Sequence, residues 1–187
     1  MNWIKGGRSR SPHKIEDAIG SVAALIQDAE AFRRRAREVA RKLGPGSIKN
    51  LAPLLHTPAA PPQSFAPEIA GLSAWPSAWQ FAIFEIIFNF KSAAFPFLEG
   101  IAFGEHDWTQ GYAIEIICRL AACGIERERT ITDFKRKFPQ LGYETRLFSV
   151  EPLLALASKD PAIAEVVEQL KTVPVFRDTV QALAPSH

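Results

Sequence analysis

Shifted by 36 residues, the segment Ala113-Ile114-Glu115-Ile116-Ile117-Cys118-Arg119-Leu120-Ala121 falls on Ser149-Val150-Glu151-Pro152-Leu153-Leu154-Ala155-Leu156-Ala157. Glu, Leu and Ala coincide, and the remaining core positions are apolar in both. The same shift sets Leu98 on Phe134 and Ala102 on Phe138, one helix earlier in each case. A period of this size marks paired helices, each unable to bury its apolar face alone. No run of alternating apolar and polar residues reads as a strand. The expected fold class is therefore all-α: a short α-solenoid of helical hairpins preceded by one long N-terminal helix.

That first helix is predicted over 12–44. Ser11 offers an N-cap, Pro12 fits the first turn, and Gly44-Pro45-Gly46 ends it. Ile15, Ala18, Val22, Leu25, Ala29, Phe32, Ala36, Val39 and Leu43 recur at spacings of three and four, a heptad seam. Residues 1–11 read as a flexible basic tail. The segment 45–75, dense in proline, reads as a connector with short helical turns capped by Asn50 and Ser64. The body, 76–184, is predicted helical throughout. Its helices run from Pro76 to near Phe90 and from Ser92 to Gly104, then from an Asp107 cap to Gly124. Thr130 caps a short helix through Phe138, broken at Pro139, and three more follow: Tyr143–Ser158, Pro161–Lys171 and Pro174–Ala184.

Charge is unevenly spread. The net charge is +2, yet residues 1–50 hold 11 Lys and Arg against 5 Asp and Glu, so the remainder is acidic. Arg34, Arg37 and Arg41 share the helix face opposite the seam, as phosphate contacts would, although a solvated face explains the same pattern. No apolar stretch has signal-peptide or membrane-spanning character, so a cytoplasmic protein without membrane contact is expected. Cys118 and Cys123, five apart on one helix, diverge by about 500° of rotation. They are expected to be two buried, reduced thiols.

Within the body, Phe95-Pro96-Phe97-Leu98-Glu99-Gly100-Ile101-Ala102, then Asp107, Tyr112-Ala113 and Ile117 through Gly124 resemble a HEAT repeat. The resemblance is to a first helix with an early proline, an inter-helix Asp, and a second helix closing in Leu-Ala-x-x-Gly. It covers 76–184 and departs at Tyr112 and Ala113, where the pattern carries a basic residue. It implies a binding adaptor, small bacterial immunity proteins that neutralise toxin domains being among the options.

Candidate chemistry is sparse. The Glu105-His106-Asp107 cluster is weighed as a metal or general-base site and read as a structural loop, because Asp107 has a capping role. Glu115 and Arg119 read as an i, i+4 ion pair. Phosphate-loop, dinucleotide, zinc-protease and nucleophile-elbow motifs are missing from the sequence. The expectation is thus no enzyme, no cofactor and no metal. The leading reading is a protein-binding module, sharpest as an immunity or antitoxin-type protein. It would bind a toxin through acids Glu99, Glu105, Asp107, Glu115 and Glu151, with Trp75, Trp79 and Trp108 as aromatic candidates. A nucleic-acid-binding protein using Arg34, Arg37 and Arg41 is the alternative. A scaffold dimerising through 12–43 is the third option.

Overall fold

A computed structural model describes residues 12–62, 65, 74–105 and 108–183, the side chains of 12 and 13 excepted. The tail 1–11, the caps at Ser11 and Ser64, and His106 and Asp107 lie outside the described residues. All regular structure among the described residues is helical. The chain forms two compact units, residues 1–89 and 90–187.

In the first unit the long helix expected over 12–44 is two helices, α1 (Pro12–Ala23) and α2 (Ala29–Leu43). The break has a local cause. After Ala23 the ladder tightens to i→i−3 bonds, Leu25 N to Val22 O at 2.9 Å and Ile26 N to Ala23 O at 3.1 Å. Asp28 then turns extended, and its carboxylate accepts from the amides of Glu30 (3.1 Å) and Ala31 (3.0 Å). An Asp that satisfies two orphan amides starts a helix rather than continuing one.

The two helices pack on each other and on α4 (Ala74–Phe88). Five seam positions, Ile15, Val22, Phe32, Ala36 and Val39, are buried in the unit, together with Ile19; Ala18, Leu25 and Leu43 are half-buried and Ala29 is exposed. Helix α4, expected to open the body, instead belongs with the basic arm. It is apolar on nearly every side, with Trp79, Ile83, Ile86 and Ile87 fully buried.

The connector folds as a turn at Pro45–Ser47, the single-turn α3 (Ile48–Leu51) and a 3₁₀ turn at Ala52–Leu55. Asn50 lies within α3 rather than capping it. Side chains of α4 supply donors to the connector's carbonyls. Trp79 Nε1 donates to Leu54 O (2.8 Å), Gln80 Nε2 to Leu55 O (2.9 Å) and Trp75 Nε1 to Ala59 O (2.6 Å).

The second unit holds α5 (Phe95–Ala102), α6 (Gln110–Ala122), α7 (Arg127–Lys137), α8 (Tyr143–Ala157), α9 (Pro161–Leu170) and α10 (Pro174–Leu183). The last three match their expected spans closely. Two caps differ. Helix α6 has Thr109, not Asp107, at its N-cap position. Helix α7 begins four residues early, after Glu126 turns left-handed (φ 52°). Thr130 is then interior and buried, its hydroxyl donating to Glu126 O at 3.0 Å.

Gly124 stops α6 as expected. At φ 76° it permits paired bonds, Ile125 N to Leu120 O and Gly124 N to Ala121 O, both 2.9 Å. The repeat-related helices α6 and α8 lie side by side, with α5 against α6. Helix α8 packs mainly on α6, α9 and α10. Phe134, Phe138 and Phe176 close the core, Phe134 and Phe138 stacked at 5.4 Å.

Candidate functional site

The start of α6 and the middle of α8 enclose a mostly apolar cleft of ≈ 390 Å³. Two large side chains stand exposed on its rim, Trp108 at 57% and Phe148 at 68%. Tyr112 lines one wall, and Glu151 and Pro152 line the other. A folded chain normally hides such rings, so two of them around one hollow mark a surface built for contact.

The floor of the cleft is held by polar bonds and one close approach. Gln110 is buried; its Nε2 donates to Gly104 O (3.2 Å), and its Oε1 accepts from the Thr145 hydroxyl (3.4 Å). These contacts tie the entry of α6 to its preceding loop and to α8. Gly111 carries no side chain where α8 comes nearest: a Cβ there would sit 3.2 Å from Phe148 O. That carbonyl would ordinarily accept from the amide four residues on, but residue 152 is proline and has no N–H. The missing bond leaves Phe148 O turned toward the backbone of α6. The Tyr112 hydroxyl is pushed up in pKa by burial and then by Glu115, so it stays protonated as a donor at neutral pH.

The sequence-predicted acids fare differently from one another. Glu99 is gripped by Arg129 through two bonds, and Glu115 faces Arg119 at 3.6 Å. Both are neutralised by arginines of their own chain. Glu105 and Glu151 are exposed, and Glu151 borders the cleft. Of the aromatic candidates only Trp108 is a surface residue. Trp75 and Trp79 are buried core of the first unit, because their indole N–H groups are needed by the connector. Cys118 is buried as expected, and desolvation followed by the nearby Glu115 raises its pKa far above the ordinary thiol value. Cys123 is exposed, contrary to expectation, since it lies at the C-cap of α6 where the helix leaves the core. Arg34, Arg37 and Arg41 are exposed on α2.

Phe148 was missed by sequence reasoning, although a signal existed. The 36-residue shift, carried one position further, pairs Tyr112 with Phe148, and both line the same cleft. Glu144 and Glu151 also flank Phe148 at i−4 and i+3, placing an aromatic ring in a polar stripe.

Among the described residues, no group of three or more His, Cys, Asp or Glu could hold a metal ion. Among them also, no helix is long and apolar enough to cross a membrane. No family model matches the chain, and neither a curated protein nor a solved structure shows similarity to it.

Proposed function

We propose that the protein is a non-enzymatic binding module whose second unit captures a segment of a partner protein in the α6–α8 cleft. The observation that carries this reading is the pair of exposed rings, Trp108 and Phe148, on either side of an apolar hollow. Aromatic anchors bordering a dry pocket are what protein interfaces use for most of their affinity. The hollow takes one bulky apolar side chain, and Glu151 at its rim favours a Lys or Arg beside that anchor. An immunity-type protein that neutralises a toxin is one form of this reading, with Glu105 and Glu151 as the acids it would present. The HEAT-like kinship proposed for the body rests on the 36-residue shift and on the side-by-side packing of α6 and α8.

Selection of displayed random peptides on the full chain tests the reading. Enriched peptides should share an apolar anchor next to a basic residue. Phe148→Ala and Trp108→Ala should each weaken them by about tenfold or more, the loss typical of an interface hot spot. Glu151→Lys should remove the basic preference alone. Peptides that bind the Phe148→Ala and Trp108→Ala variants as tightly as the wild type would overturn it, as would a selection that yields none.

A further inference from the structure

Helix α2 presents a second surface, in the first unit and unrelated to the cleft. Its buried side is Phe32, Ala36, Val39 and Ala40. At about 100° per residue, Arg33, Arg34, Arg37 and Arg41 fall within about 100° of arc on the other side. All four are exposed. Arg33, Arg37 and Arg41 follow one another at i, i+4 and i+8, a rise of about 6 Å per step. The one acid on this arc is Glu30 at its N-terminal end, 3.8 Å from Arg34 and 93% exposed.

Two ordinary explanations account for part of this pattern only. Cations in the last helical turn offset the macrodipole, which covers Arg41 and Lys42. Arg33, Arg34 and Arg37 lie too far from Leu43 for that effect, which fades within the last turn. Internal pairing accounts for Arg35, whose Nε donates to the Ser21 hydroxyl (3.1 Å) and whose Nη1 meets Glu38 (3.2 Å). Neither explanation reaches Arg33 or Arg37, and Arg34 has only the exposed 3.8 Å pair with Glu30.

We infer that this arginine ribbon binds the phosphodiester backbone of a nucleic acid. Planar guanidinium groups repeated along a rigid helix suit a row of phosphates, each able to accept two parallel bonds. A lipid surface fits less well, because membrane-bound amphipathic helices insert an apolar face. The apolar face of α2 is already buried in the unit. An acidic protein fits less well too, because the arc offers no aromatic or aliphatic anchor among its arginines. Backbone contact through four cations gives binding that is sequence-tolerant and steeply salt-dependent.

The experiment is fluorescence anisotropy of the full chain with a labelled duplex DNA of about 20 base pairs and a single-stranded RNA of similar length, long enough for several phosphate contacts. Four contacts to duplex predict that affinity falls about 100-fold between 50 and 200 mM salt. The combined variant Arg33→Gln, Arg34→Gln, Arg37→Gln and Arg41→Gln should bind at least about tenfold more weakly at the lower salt, with a log–log salt slope shallower by about 3. A control of equal charge loss, Lys14, Lys49, Lys135 and Lys159 to Gln, should retain wild-type binding. Far-ultraviolet circular dichroism checks that both variants keep their helices. Equal weakening by the control overturns the proposal, as does a salt slope unchanged in the arginine variant. Anionic vesicles bound in place of nucleic acid, or no salt-sensitive binding at all, overturns it equally.

Discussion

Arg129 holds Glu99 fork to fork: Nε donates to Oε1 at 2.9 Å and Nη2 to Oε2 at 2.7 Å, tying α7 to α5. Asp133, one turn further along α7, joins the same group and accepts from Arg136 (2.8 Å), with Lys137 at 3.4 Å. Burial and then the hydrogen bond shared with Asp133 raise the pKa of Glu99 despite the arginine. Burial pushes Asp133 upward as well, but the bond with Glu99 and the charges of Lys137 and Arg136 outweigh it and hold the residue low. Of the pair, Glu99 is therefore the weaker acid and takes up a proton first as pH falls.

These shifts fix two opposite pH dependences. Glu99 binds its proton more tightly in the native state, so its contribution is complete below its ordinary 4.5 and declines as pH rises through the native value. The stability advantage of wild type over Glu99→Gln should then shrink as pH rises above 4.5. Asp133 behaves in reverse: its contribution is present above 3.8 and is lost as pH falls through the depressed native value. The advantage over Asp133→Asn should collapse in that acid range. Urea unfolding across pH measures both, and differences flat in pH would refute the proton assignment. Arg129→Ala should cost about 1–2 kcal/mol, the worth of a charge-assisted bond left unmade.

One substitution at two glycines should act with opposite signs. Gly111→Ala places a methyl group 3.2 Å from Phe148 O, a backbone atom that cannot swing aside, so α6 and α8 must part slightly. The expected loss is about 1 kcal/mol, the low end of the overpacking range, even after the helix-propensity gain. Gly100 sits in α5, and a methyl group added there would meet nothing within 4 Å. Gly100→Ala should therefore stabilise by about 0.5–1 kcal/mol. Thermal unfolding of both variants decides the matter, and a more stable Gly111→Ala would show that the helices are not in close contact.

Thiol chemistry should separate the two cysteines. Cys123 is exposed and Cys118 is buried with its pKa raised, so a thiol reagent at neutral pH should modify one group promptly. The second should react only at the rate of opening of the second unit. Cys123→Ser should abolish the fast phase, and two equally fast phases would contradict the burial of Cys118.

How far the sequence carries depends on whether a feature is local. Gly44 and Gly124 were legible as helix ends because a left-handed residue favours glycine whatever surrounds it. The break between α1 and α2 was not. The seam keeps its three-and-four spacing across residues 24–28, and periodicity does not distinguish one helix from two in phase. The local signal was Asp28, a capping residue whose carboxylate accepts from the amides of Glu30 and Ala31. The site divides in the same way. Trp108 could be named from a loop position, but the exposure of Phe148 depends on how α8 meets α6 and on Pro152 freeing a carbonyl toward Gly111. Trp75 and Trp79 lie inside α4, where their indoles are buried and reach the connector's carbonyls, a tertiary contact the sequence does not display.

Those carbonyls give the last prediction. The connector is short of amide donors because it is rich in proline, and Trp79 and Gln80 reach back from α4 to two consecutive carbonyls, Leu54 O and Leu55 O. Trp79→Phe removes one donor, leaves Leu54 O unsatisfied beside a buried ring, and empties part of a site that is 0% exposed. Together the lost bond and the lost ring volume should cost about 2–3 kcal/mol. The damage should be local first. Hydrogen exchange should quicken across 48–59 before it does in α6 or α8, since the latter draw on the core of a separate unit. Trp75→Phe, at a position 6% exposed, should do less and act mainly around Ala59. Exchange that rises uniformly over the chain, or a Trp79→Phe variant as stable as the wild type, would show that the connector is held by its own turns and not by the indoles of α4.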